Sequence, residues 1–176
     1  MDIKVRDLNF EPFISEHLIQ ARIVELANKL TVDYHDKNPL FVSVLNGSFM
    51  FTSDLMKAFL SPCQVTFVKL TSYQGMESTG IVKSLIGLQD DIKGRHVVLI
   101  EDIIDSGYTI KNIIDEIKLK EPASVKVLSL LLKPTALKIP LEPDYVGFEI
   151  ENKFVVGYGL DYDGYGRNLN QLYILK

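Results

Sequence analysis

The chain has 176 residues, 47% of them hydrophobic and 24% charged, with a formal net charge of −4. This describes one globular domain with a real core and weighs against nucleic acid as a partner. The longest apolar runs are strand-sized, so no membrane partner is predicted. MDIKVRDLNF, the first ten residues, has no basic region followed by an apolar core and does not read as a secretory leader. A lone cysteine, Cys63, excludes an internal disulfide and fits a reducing cytoplasm.

SEHLIQARIVELANKL, residues 15–30, sets Ile19, Ile23, Leu26, Ala27 and Leu30 on one helical face behind Ser15, a plausible N-cap. PLFVSVL (39–45) reads as a buried strand, followed by the turn NGS and a helical FTSDLMKAFL. QVTFVKLTSY (64–73) alternates like a strand, and the polar QGMESTG (74–80) reads as a mobile loop. IVKSLIGL and HVVLIEDI are further strands joined by the turn LQDDIKGR. TIKNIIDEIKLKE (109–121) is an amphipathic helix, and SVKVLSLLLK (124–133) the strand after it. YVGFEI, FVVGYGL and QLYILK complete the chain as short strands, the last two separated by DYDGYGRNLN.

Alternation of strands and helices over about residues 39–133 predicts an α/β fold, a parallel sheet with helices on both faces. The β-rich tail and the N-terminal segment are left for a small subdomain, a core of about 15–140 carrying a hood of about 1–14 and 141–176. In such sheets ligands bind beyond the carboxyl ends of the strands. Asn46-Gly47-Ser48, the stretch from Glu101 to Thr109, and Lys133 all fall there.

VVLIEDIIDSGYTI (97–110) ends a buried strand in Glu101, Asp102 and Asp105 just before a helix start. Helix starts attract anions, so these acids make sense only if a cation or a sugar hydroxyl is expected beside them. Gly107 permits a positive φ, and helix-start amides with Ser106, Tyr108 and Thr109 form a cradle suited to a phosphate monoester. Neither G-x-G-x-x-G nor G-K-[ST] occurs. Glu101 and Asp102 suit either vicinal hydroxyls or the water shell of a divalent metal. A ligand with a phosphate at one end and a diol near its middle is a ribose 5-phosphate.

An apolar strand, an acid pair, two apolar residues and Asp-Ser-Gly-x-Thr together resemble the phosphoribosyl diphosphate signature of type I phosphoribosyltransferases. LNGSFMF, KLTSYQGMESTG, LLLKPTAL and FVVGYGLDYDGYGRNL are similar, in order, to the diphosphate loop, flexible loop, purine-binding strand and hood of hypoxanthine-guanine phosphoribosyltransferases. The resemblance implies purine salvage with Mg²⁺, making IMP or GMP and diphosphate from phosphoribosyl diphosphate and hypoxanthine or guanine. It implies an acid/base role for Asp105 and ribose and metal contacts for Glu101 and Asp102. Ser106 to Thr109 match the 5-phosphate loop. Lys133 matches the donor to the purine's exocyclic oxygen, Phe154 the stacking aromatic, and Val155 the backbone that reads the base edge. Asp161 matches a carboxylate near the purine and a second metal, and Arg167 an arginine reaching the diphosphate. Ser72 and Tyr73 match the start of a loop that closes over the site. Asn46 stands where many relatives carry a basic residue, so the amides of Asn46, Gly47 and Ser48 are expected to bind diphosphate without a loop cation. Leu45-Asn46 is the place of a cis peptide in the family, and the family's habit implies a homo-oligomer, a dimer or tetramer.

Two other readings stay open on sequence alone. One is a related transferase preferring xanthine. The other is a regulator of the same fold that senses nucleotides and binds RNA, which would require a basic face that the net charge disfavours.

Overall fold

The computed structural model describes residues 1–73, 82–86, 88 and 90–176. The larger of its two sheets has the order β5-β4-β3-β6-β7-β8. Strands β4 (Gln64–Tyr73), β3 (Leu40–Leu45), β6 (His96–Ile104), β7 (Ser124–Leu132) and β8 (Tyr145–Glu149) run parallel, and β5 (Val82–Ile86) closes one edge antiparallel. Buried strands covered on both faces need near-continuous apolar sequence, and LFVSVL and VVLI meet that requirement, with Leu40 to Val44 and Val97 to Ile100 all buried.

Helix α1 (Glu16–Asp33) starts where expected, with Ser15 accepting a hydrogen bond from the Leu18 amide at 3.4 Å, and it buries the five residues named for its apolar face. With α2 (Phe49–Ala58) it covers one face of the sheet, in a core that includes Phe41, Phe51, Leu55 and Val98. Helix α3 (Tyr108–Lys118) covers the other through Ile110, Ile113 and Ile117 against Leu99 and Val127.

The second sheet is antiparallel, in the order β1-β2-β10-β9, from Ile3–Val5, Leu8–Ile14, Leu172–Leu175 and Val155–Val156. N- and C-terminal segments do form a hood, as expected, but its boundary needs one correction. Tyr145–Glu149, assigned from sequence to the hood, pairs in parallel with β7 and completes the main sheet. A second difference lies in FVVGYGL. Only Val155–Val156 is strand, because Gly157, Tyr158 and Gly159 all take positive φ (104°, 47° and 99°) and turn the chain back toward the main sheet.

Candidate active site

The carboxyl ends of β3, β6 and β7 lie side by side, since β6 is the sheet neighbour of both other strands. After β3 come Asn46, Gly47 and Ser48, after β6 Asp105 to Gly107, and after β7 Lys133. Asp102, Ile103, Asp105, Lys133, Phe154, Val155, Leu160 and Asp161 line a cleft of about 230 Å³ between these ends and the hood. Ile103 and Leu160 were not singled out from sequence, although Ile103 directly follows the acid pair.

Glu101 and Asp102 stand in the C-terminal half of strand β6 in unlike surroundings. Glu101 is buried and its Oε2 has no hydrogen-bond partner among the described residues. Burial, then the Asp102 charge, raise its carboxyl well above the usual range. A buried, unpaired polar atom is costly and calls for an explanation. Asp102 is raised to about 6, chiefly by burial, against hydrogen bonds from backbone amides and the pull of Arg167, with Asp161 adding to the rise. A Cβ on Gly47 would lie 1.5 Å from Asp102 Oδ2. Only glycine allows the Asn46–Ser48 segment to lie so close to that carboxylate.

The Leu45-Asn46 peptide is cis, at the place the resemblance implied. Asn46 is exposed, whereas Gly47 and Ser48 are buried. The Ser48 hydroxyl faces inward to the Ser43 hydroxyl at 2.7 Å and the Val44 carbonyl. Any part Ser48 plays toward a ligand is therefore left to its main chain. Gly107 takes φ 86° at the N-cap of α3, as its place in Asp-Ser-Gly predicts, and no side chain caps the helix. The amides of Tyr108 and Thr109, in the first turn, precede the first intrahelical bond, from Lys111 N to Gly107 O at 3.0 Å.

Lys133 is buried and pairs with Asp105 Oδ2 at 3.1 Å, while the Asp105 side chain remains 56% exposed. Phe154 faces them across the cleft, 42% exposed, its ring 6.2 Å from Phe10 and 5.9 Å from Tyr162. Leu175 N donates to Phe154 O at 2.9 Å, and the next pair along the ladder is Val155 with Ile174. Antiparallel ladders alternate bonded and non-bonded pairs. Val155, on the edge strand, therefore turns its amide and carbonyl out of the sheet. Asp161 accepts from Arg167 at 2.6 Å and from the Gly164 amide at 2.6 Å, and Arg167 also donates to the Gly159 carbonyl at 2.8 Å. Among the described residues no three carboxylate, histidine or cysteine groups converge as a metal cage, so Glu101, Asp102 and Asp161 do not form one. Ser72 and Tyr73 end β4, opposite Lys83 and Val82 of β5. The segment read as a closing loop, 74–80, lies outside the described residues.

The chain matches the phosphoribosyl transferase domain family over residues 14–163. It is 43% identical over 164 residues to the hypoxanthine-guanine phosphoribosyltransferase of Streptococcus pneumoniae, covering 93% of this chain and 91% of that one. The chain belongs to the hypoxanthine-guanine phosphoribosyltransferase family. A solved hypoxanthine phosphoribosyltransferase of Staphylococcus aureus superposes with a TM-score of 0.84 at 39% identity, covering 94% of this chain and 91% of the other. The chain also resembles a bifunctional TilS/HprT protein of Listeria innocua, 45% identical over 164 residues that cover 93% of this chain but only 25% of that relative. Of the residues singled out from sequence, Asp102, Asp105, Lys133, Phe154, Val155 and Asp161 line one cleft. The exposed face of Phe154 and the buried ammonium of Lys133 are its two sides.

Proposed function

We propose that the chain transfers the 5-phosphoribosyl group from phosphoribosyl diphosphate to hypoxanthine or guanine, giving IMP or GMP and diphosphate. The observation that carries this reading is the placement of Lys133 and Asp105 opposite Phe154 and Val155 in one cleft. A planar base lying on the exposed face of Phe154 meets a buried ammonium, which can only donate. That donor suits the exocyclic oxygen of hypoxanthine or guanine and rejects adenine, whose amino group is itself a donor. The outward amide and carbonyl of Val155 read the base edge.

Asp105, 3.1 Å from Lys133, is placed to take the imidazole proton of the base. The base's other imidazole nitrogen then bonds to C1′ of the ribose as the bond from C1′ to the diphosphate oxygen breaks. The proton ends on Asp105 and the electron pair leaves with diphosphate. Residues Ser106 to Thr109, with the α3 amides, hold the 5-phosphate. The amides of Asn46, Gly47 and Ser48, with Arg167, hold the diphosphate, for which the planar guanidinium fork is suited.

Mg²⁺ fits Glu101 and Asp102. An unpartnered carboxyl oxygen and a second carboxylate beside Gly47 await either ribose hydroxyls or a hydrated cation. Magnesium usually takes one or two carboxylates and completes its shell with water and substrate phosphate, so a protein cage is not required. When bound, it would neutralise the negative charge that develops on the leaving diphosphate. Asp161, in the hood, would stand near a second magnesium rather than share this one. The reading includes a homo-oligomer in the cytoplasm, for which the unpaired Cys63 is one support. No helix among the described residues is long and apolar enough to cross a membrane.

The test is turnover by purified protein with magnesium, phosphoribosyl diphosphate and, in turn, hypoxanthine, guanine, xanthine, adenine and uracil. Hypoxanthine and guanine should react and adenine should not. Preference for xanthine, or no turnover of any base, would overturn the assignment.

A further inference from the structure

Tyr158 lies 1% exposed in the main core, yet it belongs to the hood. Its φ of 47° is uncommon for a large side chain and is held between two glycines with φ 104° and 99°. The phenol hydroxyl donates to Asp54 Oδ2 on α2 at 2.6 Å. Burial first, and then that hydrogen bond, keep the phenol protonated far above neutral pH. Burial pushes Asp54 up, but bonds from Lys57, Tyr158 and Gln20 outweigh it and leave the carboxyl below its usual range. The bond therefore joins a phenol to a charged carboxylate at every working pH, which makes it one of the stronger kinds.

What this bond positions follows from the next residue. Gly159 packs so close to the diphosphate loop that a Cβ there would lie 2.0 Å from the Gly47 carbonyl oxygen. Gly159 also exchanges two hydrogen bonds with Arg167. Its amide donates to the Arg167 carbonyl at 3.0 Å and its carbonyl accepts from the guanidinium at 2.8 Å. Helix α2, which carries Asp54, begins directly after Ser48. One phenol thus ties the turn that holds Arg167 to the helix that follows the Asn46–Ser48 loop.

We infer that Tyr158 is a positioning residue for the diphosphate half of the site. Its bond to Asp54 fixes the distance between Arg167 and the Gly47 loop and leaves the purine half untouched. This rests on the proposed reading of the site as one that binds phosphoribosyl diphosphate. A residue that only stabilised the fold would move both substrates alike.

Tyr158→Phe keeps the ring and removes the hydroxyl. It should raise KM for phosphoribosyl diphosphate ~10-fold and leave KM for hypoxanthine within about twofold, with Tm lowered by no more than about 3 °C. Asp54→Asn, which removes the charge but can still fold around an amide, should produce the same selective rise. The double variant should be no worse than the poorer single one, since both remove one contact. Lys57→Met removes another partner of Asp54 without touching the turn and should leave both constants unchanged. The brace can also be read without catalysis. Exchange of the Tyr158 and Gly159 amides, bonded to Leu169 and Arg167 at 2.8 and 3.0 Å, should be at least about tenfold faster in Tyr158→Phe. Wild type that turns over no purine would refute the functional reading, and unchanged exchange would refute the brace. If wild type is active and the two Michaelis constants in Tyr158→Phe stay put or rise together, the inference is overturned. If Tyr158→Phe fails to fold, Asp54→Asn decides by the same readings.

Discussion

Lys133 Nζ lies 3.1 Å from Asp105 Oδ2 across 28 residues of sequence, the lysine buried and the carboxylate half exposed. The pair is therefore one-sided. Lys133 is held by the floor of the cleft, and Asp105 reaches over from the loop after β6. Removing the carboxylate should leave the floor in place and take away the proposed proton acceptor. Asp105→Asn should lower kcat by roughly 100-fold, the scale of a lost positioned base, with phosphoribosyl diphosphate still bound. Steady-state rates combined with calorimetric binding check this, and turnover within about threefold of wild type would exclude the base role.

Lys133→Ala should weaken binding of the purine far more than binding of phosphoribosyl diphosphate. Its proposed partner is the exocyclic oxygen, and losing a charged hydrogen bond costs about 1.5–3 kcal/mol. Calorimetry of each ligand separately distinguishes this from a structural role, in which both affinities would fall together.

The Asn46–Ser48 loop, proposed to hold diphosphate, should depend on its backbone rather than on the side chain of Asn46. Asn46 is exposed, while a Cβ at Gly47 would lie 1.5 Å from the Asp102 carboxylate. Asn46→Ala should change KM for phosphoribosyl diphosphate only a few-fold, whereas Gly47→Val should abolish activity. A large loss in Asn46→Ala that Asn46→Lys restores would show that the side chain matters.

Most of this arrangement is legible in the chain because it rests on local pattern. Glu-Asp followed by Asp-Ser-Gly states its own geometry, and the positive φ of Gly107 is the one that motif requires. Contacts between distant segments are not written locally. Nothing in YVGFE says which sheet it joins, and the approach of Gly147 to the Leu130 carbonyl, where a Cβ would sit 2.5 Å away, appears only on folding. The inward turn of the Ser48 hydroxyl toward Ser43, itself bonded to Thr52 at 2.7 Å, is likewise set by packing and not by the NGS turn. FVVGYGL alternates like a strand, and its glycines were the one signal that the ladder stops at Val156.

Glu101 links the site to the stability of the fold. Its carboxyl titrates well above its ordinary value of 4.5 because burial and the neighbouring Asp102 penalise the charge. An acid raised in the folded state holds its proton when the unfolded chain has lost it. Over that interval the folded state binds more protons, so stability falls as pH rises. Wild-type Tm should therefore decline from about pH 5 toward alkaline pH. Asp102, raised from 3.8 to about 6, contributes only the acid end of this decline, which is complete once the pH passes its folded value. Glu101→Gln replaces the acid with an uncharged group of the same shape and removes the larger part. The variant should show a shallower pH dependence and gain about 0.5–2 kcal/mol at pH 8, as active-site substitutions do when they relieve a buried charge. Its transferase activity should fall at the same time, because the unpartnered oxygen is what the ribose or metal would meet. Calorimetric Tm from pH 5 to 9 for both proteins measures the effect. Parallel curves would mean that Glu101 is not the group whose burial sets the slope.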